Sequence, residues 1–176
     1  MTNQIHPTTI INEPVKMGKH VETREYSVIG STPLIFNDFN RKEAGFGVEV
    51  GDMVFIGNHA SIMSGSIRPT KIGARVVLGQ YSNIGHDCII GDRVKIINAF
   101  ICGYAEVGDS TLIGPGTTIR NRVKIGRNCL IGMDSNVVKD IPDNVVAYGN
   151  PCVVKEQRDS FVKDLLKHAI EQFFGG

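Results

Sequence analysis

Residues 84–96 read IGHDCIIGDRVKI, and an aliphatic residue recurs in this stretch at every sixth position, at Ile84, Ile90 and Ile96. A helix would repeat apolar residues at intervals of three and four, and a simple strand would alternate, so a period of six fits neither. It is typical of short strands joined by tight turns, with one inward aliphatic residue per strand and glycine relieving the turn backbone. The stretch therefore predicts a solenoid.

The same period runs through most of the chain. Aliphatic anchors stand at Val50, Ile56, Ile62, Ile72, Leu78, Ile84, Ile90 and Ile96, and after one step of five they continue at Ile101, Val107, Ile113, Ile119, Ile125, Ile131 and Val137. A second inward position follows many anchors by four residues and is small or β-branched, at Val76, Cys88, Val94, Thr117, Cys129 and Ser135. Because three hexads make one triangular coil, we predict an all-β solenoid, a parallel β-helix with roughly five coils over residues 48–140.

The interruptions of the period define the domain organisation. A weaker repeat over 15–30 extends the β-helix domain, which we expect over residues 1–155, with an inserted loop at 31–47 and a smaller bulge at 64–70. The loop is the largest departure from the rod, so we expect it to contact the acceptor of any reaction. Residues 156–176 carry apolar residues at steps of four, which predicts an amphipathic C-terminal α-helix.

Composition bounds the function classes. The chain has 176 residues, which suits one domain, and a net charge of +1, so we expect no nucleic-acid partner. No signal-peptide pattern opens the sequence and no apolar run reaches the ~18 residues of a membrane span, so we expect a cytoplasmic protein without one. The four cysteines lie far apart without a C-x-x-C pair, which indicates reduced thiols rather than a disulfide frame or zinc site.

The period and the GNP that follows it at 149–151 resemble the hexapeptide-repeat acyltransferases. The resemblance covers roughly residues 5–155 and implies a left-handed coil, a homotrimer and acyl-CoA sites in clefts between adjacent subunits. Within that family, IGHDCIIGD at 84–92 is similar to the active-site segment of the sialic-acid O-acetyltransferases and the bacillosamine-pathway sugar N-acetyltransferases. AYGNPCVVK at 147–155 is similar to the ending of members that use CoA.

The chemistry of acyl transfer selects three residues. An attacking amine or hydroxyl must lose its proton, and His86 has the side chain best suited to a general base at neutral pH. Asp87 would fix its tautomer if the two residues lie at a turn corner, because neighbours on a strand point to opposite sides. The step of five to Ile101 stacks Gly103 over His86, where its N–H could bind the thioester oxygen. A glycine in this place has that role in the enzymes that the chain resembles.

The resemblance also suggests where the donor binds. Related enzymes place the nucleotide of CoA near the GNP segment and towards the C-terminal end of the rod, where cationic residues gather at Arg120, Arg122, Lys124, Arg127, Lys139, Lys155 and Arg158. The predicted donor-binding residues are Asn121, Lys139, Gly149, Asn150, Pro151 and Lys155. No metal is expected.

The leading hypothesis is an acetyl-CoA-dependent N- or O-acetyltransferase that acts on a sugar, with a nucleotide-linked amino sugar as the expected acceptor, by direct attack on the thioester. Three alternatives stay open: a longer-chain acyltransferase of the lipid A type, a non-catalytic β-helix scaffold, and a γ-type carbonic anhydrase. The last would need three histidines converging on zinc. Only His86 and His59 lie in the regular repeat, and His59 occupies a different place in its hexad.

Overall fold

The computed structural model of the chain describes residues 2–12, 14–33 and 45–159. They form a rod built from short strands. In chain order the strands are β1 (Ile10–Ile11), β2 (Val15–Met17), β3 (Glu22–Thr23), β4 (Val28–Ser31), β5 (Val48–Val50), β6 (Phe55–Ile56), β7 (Ser61–Met63), β8 (Thr70–Ile72), β9 (Val77–Leu78), β10 (Asn83–Ile84), β11 (Ile89–Ile90), β12 (Lys95–Ile96), β13 (Phe100–Ile101), β14 (Glu106–Val107), β15 (Leu112–Ile113), β16 (Thr118–Ile119), β17 (Lys124–Ile125), β18 (Leu130–Ile131), β19 (Asn136–Val137), β20 (Val145–Tyr148) and β21 (Val153–Gln157).

As far as β19, every third strand belongs to the same sheet, so the chain winds around three faces. Sheet I has the order β1-β4-β7-β10-β13-β16-β19, sheet II the order β2-β5-β8-β11-β14-β17, and sheet III the order β3-β6-β9-β12-β15-β18-β20-β21. Consecutive strands of each sheet pair in parallel, except for the last pair, β20 and β21, which is antiparallel. The fold is the predicted left-handed parallel β-helix, with seven strands in sheet I marking seven coils.

The hexad anchors fill the interior of the rod. The isoleucine and leucine anchors from Ile56 to Ile131 are at most 3% exposed, and the second inward positions that the sequence predicts are buried as well. Each fully buried aliphatic side chain contributes about 1.5–3 kcal/mol relative to an exposed one. Because the anchors stack coil upon coil, they make one continuous core along the axis.

The corner between sheets I and II, called corner I/II below, carries both interruptions of the period. The longer insertion lies between β4 and β5, and the bulge at 64–69 lies between β7 and β8. The coil that follows passes the same corner through residues 85–88 without an insertion. The bulge at 64–69 therefore lies at the same corner as His86, one coil before it.

The bulge is joined to the C-terminal end of the longer insertion. Gly47 and Gly65 form an antiparallel bridge, in which Gly65 N–H donates to the Gly47 carbonyl at 3.0 Å and Phe46 N–H donates to the Gly65 carbonyl at 2.8 Å. Most of the predicted acceptor loop, residues 34–44, lies outside the described residues.

The end of the chain differs in part from the expected boundary. β21 continues to Gln157, so the first two residues of the expected 156–176 helix belong to a strand, and residues 160–176 lie outside the described part. Within the described ranges, no helix has the length and apolar character needed to cross a membrane.

Candidate functional site

His86 and Asp87 lie together at corner I/II. Asp87 has a φ of +59°, and this left-handed backbone turns its side chain towards that of its neighbour, as the corner hypothesis required. His86 Nδ1 lies 2.7 Å from Asp87 Oδ2. The histidine side chain is 17% exposed, whereas that of Asp87 is fully buried. The His86 ring is therefore accessible to a substrate, while the carboxylate that holds it is buried.

The bulge at 64–69 wraps the Asp87 carboxylate in hydrogen-bond donors. Ser66 donates to it from its N–H at 2.9 Å and from its hydroxyl at 2.5 Å. The N–H groups of Ile67 and Arg68 donate to Oδ1 at 2.8 and 2.9 Å. Asp87 N–H in turn donates to the Thr70 hydroxyl at 2.8 Å. Three consecutive residues of an irregular segment thus form an anion cradle for a single side chain.

This cradle fixes the charge of Asp87 and the tautomer of His86. Burial by itself raises the pKa of Asp87, but the hydrogen bonds from the Ser66 hydroxyl, the Ile67 N–H and His86 outweigh it and lower the pKa to about 2. An ionised carboxylate only accepts hydrogen bonds, so Nδ1 of His86 carries the proton. Nε2 is left with a free lone pair, as a general base requires.

Gly103 lies against the ring of His86. The β10–β13 register pairs Ile84 with Ile101, which places Gly103 one coil above His86 and agrees with the predicted stacking. A Cβ atom on Gly103 would lie 2.6 Å from Nε2 of His86. Within the described residues, no acceptor takes a hydrogen bond from Gly103 N–H. The site thus combines a basic nitrogen with an unpaired backbone donor.

Two of the predicted donor-binding residues continue the same column. The β13–β16 register places Asn121 above Gly103, and the β16–β19 register places Lys139 above Asn121. Because neighbouring parallel strands are about 5 Å apart, Lys139 lies roughly 15 Å along the rod from His86. The corner therefore aligns His86, Gly103, Asn121 and Lys139 in one row.

The GNP segment lies beside the last strand of sheet I. Gly149 accepts a hydrogen bond from Asn136 N–H at 3.0 Å, and Asn136 Nδ2 donates to Asn150 Oδ1 at 3.4 Å. Pro151 follows through a cis peptide bond. Lys155 is not brought to corner I/II, since it lies on β21 in sheet III, where its Nζ is 5.0 Å from the Tyr148 ring centroid.

The thiols near the site are unsuited to nucleophilic attack. Burial raises the pKa of the Cys88 thiol to about 12, and its Sγ donates to the Cys102 carbonyl at 3.1 Å. Burial also raises the pKa of Cys102. Both side chains remain protonated at neutral pH, so the arrangement favours direct attack by an acceptor over a cysteinyl intermediate.

The other histidine of the regular repeat lies elsewhere. His59 stacks between Tyr26 and Tyr81, at centroid distances of 5.3 and 5.1 Å, at the corner between sheets III and I. Across the ranges 2–12, 14–33 and 45–159, no group of three His, Cys, Asp or Glu side chains is gathered in a way that could hold a metal ion.

Sequence reasoning missed the residues that hold the pair in place. They are Ser66, Ile67, Arg68, Thr70 and Tyr104. The step from Ile62 to Ile72 is four residues longer than a hexad, which marks an irregular segment about one coil before His86 but does not show that the segment contacts Asp87. Tyr104 had no such signal.

Comparison with known proteins agrees with this architecture. The bacterial transferase hexapeptide family (six repeats) matches residues 69–96 and 104–139. An acyl-[acyl-carrier-protein]–UDP-N-acetylglucosamine O-acyltransferase of Campylobacter concisus is 30% identical over 145 residues, which are 80% of this chain and 54% of that protein. The chain therefore contains the hexapeptide repeats of bacterial transferases over residues 69–96 and 104–139. It spans about half the length of the curated relatives that it matches.

Solved structures share the fold. The UDP-N-acetylglucosamine acyltransferase of Bacteroides fragilis superposes with a TM-score of 0.83 over 93% of this chain and 64% of that chain, at 21% identity. The acetyltransferase domain of PglB from Neisseria gonorrhoeae, in complex with acetyl coenzyme A, superposes with a TM-score of 0.54 over 86% of this chain and 56% of that chain, also at 21% identity. Both structures thus share the coil architecture of this chain.

Proposed function

We propose that the protein transfers an acyl group from a phosphopantetheine thioester to a hydroxyl or amine of a sugar, with His86 as general base. One observation carries the proposal. Nδ1 of His86 is held by a carboxylate at 2.7 Å, so the free lone pair is on Nε2, the atom that lies against Gly103. A base, its orienting carboxylate and a backbone donor are thereby collected at one corner of a rigid scaffold.

The reaction follows from these positions. As the acceptor oxygen or nitrogen bonds to the thioester carbonyl carbon, Nε2 of His86 takes its proton, and Asp87 stabilises the resulting imidazolium. Gly103 N–H donates to the carbonyl oxygen as negative charge develops there, a contribution of about 2.7–4 kcal/mol for one such donor. The carbon–sulfur bond then breaks, and the imidazolium returns the proton to the leaving thiolate.

For the donor we propose acetyl-CoA. The GNP segment is next to the last coil, and the Asn121–Lys139 row leads towards it from His86, which would align a pantetheine arm along the corner with its phosphates near Lys139. The Neisseria domain that binds acetyl coenzyme A has the same fold. A second candidate donor is a longer acyl chain on acyl carrier protein, since that is the donor named for the Campylobacter relative.

For the acceptor we propose a nucleotide-linked amino sugar. The bulge at 64–69 and the described end of the longer insertion, residues 45–47, lie at corner I/II on the side of His86 opposite to Lys139. The two substrates would therefore approach the base from opposite ends of the column. The relative from Campylobacter is named for UDP-N-acetylglucosamine, which supports a sugar nucleotide rather than a free sugar.

The test is thiol release and acyl transfer against a panel of UDP-, dTDP- and GDP-linked amino sugars. Each is assayed with acetyl-CoA and with longer acyl chains on acyl carrier protein. We expect one acceptor to support turnover, and His86→Ala to lower kcat by about 10²–10⁴-fold. His59→Ala is the matched control, because His59 lies at another corner, between two tyrosines. Turnover that survives His86→Ala would remove His86 as the base. An absence of turnover with every pairing would favour a scaffold.

The homotrimer is part of the same proposal. The outer row of sheet III carries the half-buried apolar residues Phe55, Val77, Leu112 and Leu130, a surface suited to contact between copies. Light scattering should then give three times the 19.2 kDa chain mass. A particle of one chain mass would contradict an inter-subunit site.

A further inference from the structure

Tyr104 is packed against His86 through its backbone and its ring. It follows Gly103 at corner I/II, with a φ of +62°, and its N–H donates to the His86 carbonyl at 2.9 Å. Its ring meets the imidazole edge to face, with centroids 4.8 Å apart and planes at 86°. The backbone hydrogen bond and the ring contact therefore position the Tyr104 side chain independently of its hydroxyl.

The hydroxyl of Tyr104 is linked to Asp87 by a hydrogen-bond chain of defined direction. An ionised carboxylate cannot donate, so the Ser66 hydroxyl must donate to Asp87 Oδ2 at 2.5 Å. The lone pairs of that serine oxygen are then available to accept from Tyr104 Oη at 3.2 Å. The same Oδ2 accepts from His86 Nδ1 at 2.7 Å. His86 directly, and Tyr104 through the Ser66 hydroxyl, therefore act on the same carboxylate oxygen.

Charged side chains surround this series of hydrogen bonds. The Arg122 guanidinium lies 4.4 Å from the Tyr104 ring centroid. Arg68 donates to the Asp87 carbonyl from Nε and Nη2 at 3.2 and 3.0 Å, and it pairs with Glu106 at 3.7 Å. Tyr104 is thus packed between His86 and a cation that stacks on its ring, which limits the freedom of its hydroxyl.

We propose that Tyr104 is a positioning residue that tunes His86 through Ser66 and Asp87. Its hydroxyl polarises the Ser66 hydroxyl, which then draws negative charge away from the Asp87 oxygen that faces His86, because hydrogen bonds in series strengthen one another. Without this donor, Oδ2 becomes more negative and stabilises the protonated imidazole. The catalytic consequence rests on the proposed function, whereas the effect on the imidazole belongs to the free protein.

The experiment is an NMR titration of the His86 ring, assigned with His86→Gln, in the wild type and Tyr104→Phe. The substitution removes one oxygen and keeps the ring contacts with His86 and Arg122. We expect the titration midpoint of His86 to rise by about 0.2–0.5 pH units in the variant. In a Ser66→Ala background the same substitution should produce no rise. Tyr81→Phe is the matched control, since Tyr81 also stands at a left-handed corner position but stacks on His59.

The outcomes separate this inference from the proposed function. An unchanged midpoint in Tyr104→Phe, or a rise that persists in the Ser66→Ala background, overturns it. Where an acceptor supports turnover, the acid limb of kcat/KM should move with the NMR midpoint while the KM of either substrate stays constant. If the midpoint rises as expected but no acceptor is acylated, the effect of Tyr104 on His86 is supported and the proposed transferase function fails.

Discussion

Gly103 and His86 are in van der Waals contact across one coil of the rod, so that a Cβ atom on Gly103 would lie 2.6 Å from Nε2, 2.8 Å from Cε1 and 3.0 Å from Cδ2 of the imidazole. The ring cannot move away freely, because Asp87 holds its opposite nitrogen at 2.7 Å. The absence of a side chain at position 103 therefore determines where the base nitrogen lies.

Gly103→Ala should remove activity while leaving the fold intact. The φ of Gly103 is not in the left-handed region, so alanine imposes no backbone strain, but its methyl group must displace the His86 ring from Asp87. We expect kcat to fall by about 100-fold or more, the value of a correctly placed general base, with little change in the midpoint of urea unfolding. Steady-state kinetics and circular dichroism of the purified variant measure both.

Gly79→Ala is the matched control for that substitution. Its added methyl group would meet nothing closer than 3.3 Å, and Gly79 lies at the corner between sheets III and I. We expect near-normal kcat. If Gly103→Ala keeps wild-type kcat, the close packing of Gly103 and His86 has no catalytic importance.

Truncation of a hexad anchor should destabilise the whole rod. Ile84 is fully buried two residues before His86, and β10 pairs with the coils on either side. Ile84→Ala removes buried methyl and methylene groups and leaves a cavity, so the free energy of unfolding should fall by about 2–5 kcal/mol. Ile97→Ala is the same chemical change at a residue that is 41% exposed, and it should cost under about 0.5 kcal/mol. Urea unfolding compares the two, and equal losses would contradict the assignment of Ile84 to the core.

The regular part of the fold was predictable because the spacing of the hexad anchors determines which sheet each strand joins. Ile101, Ile119 and Val137 follow one another at steps of eighteen residues, so each returns to the same sheet and buries its side chain in the interior of the rod. The stacking of Gly103 over His86 was predictable for the same reason, since counting coils gives the register.

The cradle of Asp87 was not predictable, because it depends on conformation rather than on period. Ser66 and Arg68 contact Asp87 through backbone N–H groups of an irregular segment, and no spacing in the sequence states which way such groups point. Tyr104 reaches Ser66 across two coils, a contact between residues 38 apart in the chain that only the assembled corner reveals.

Loss of the cation at position 139 should weaken donor binding without slowing the chemical step. Lys139 lies roughly 15 Å along the column from His86, near the last coil, where the proposal places donor phosphates. Lys139→Ala should therefore raise the KM for the donor about fivefold, as expected for one partly exposed charge contact, with kcat within about twofold of wild type. The effect should shrink as ionic strength rises.

Lys16→Ala controls for the general loss of a positive charge, because the Lys16 side chain is 83% exposed on the outer face of sheet II, at the other end of the rod. It should leave the donor KM unchanged. A similar rise in both variants would indicate long-range attraction rather than a contact at Lys139.

The Asp87 cradle should make a defined contribution to stability in acid. Its pKa in the folded protein is lowered to about 2 from an ordinary value of 3.8, so the carboxylate stabilises the fold above pH 4 and loses that contribution as pH falls through 2. A difference of this size corresponds to about 2 kcal/mol.

In Asp87→Asn the amide cannot ionise and presents N–H groups to the donors of Ser66, Ile67 and Arg68, so the variant is less stable at neutral pH. The stability gap between wild type and variant should be constant above pH 5 and should narrow by about 2 kcal/mol between pH 4 and pH 2, measured by urea unfolding at each pH. Asp159→Asn, at an exposed position, provides the control and should follow the wild-type profile. A gap between wild type and Asp87→Asn that stays constant down to pH 2 would mean that Asp87 is not held as a buried carboxylate, and the tautomer assigned to His86 would lose its basis.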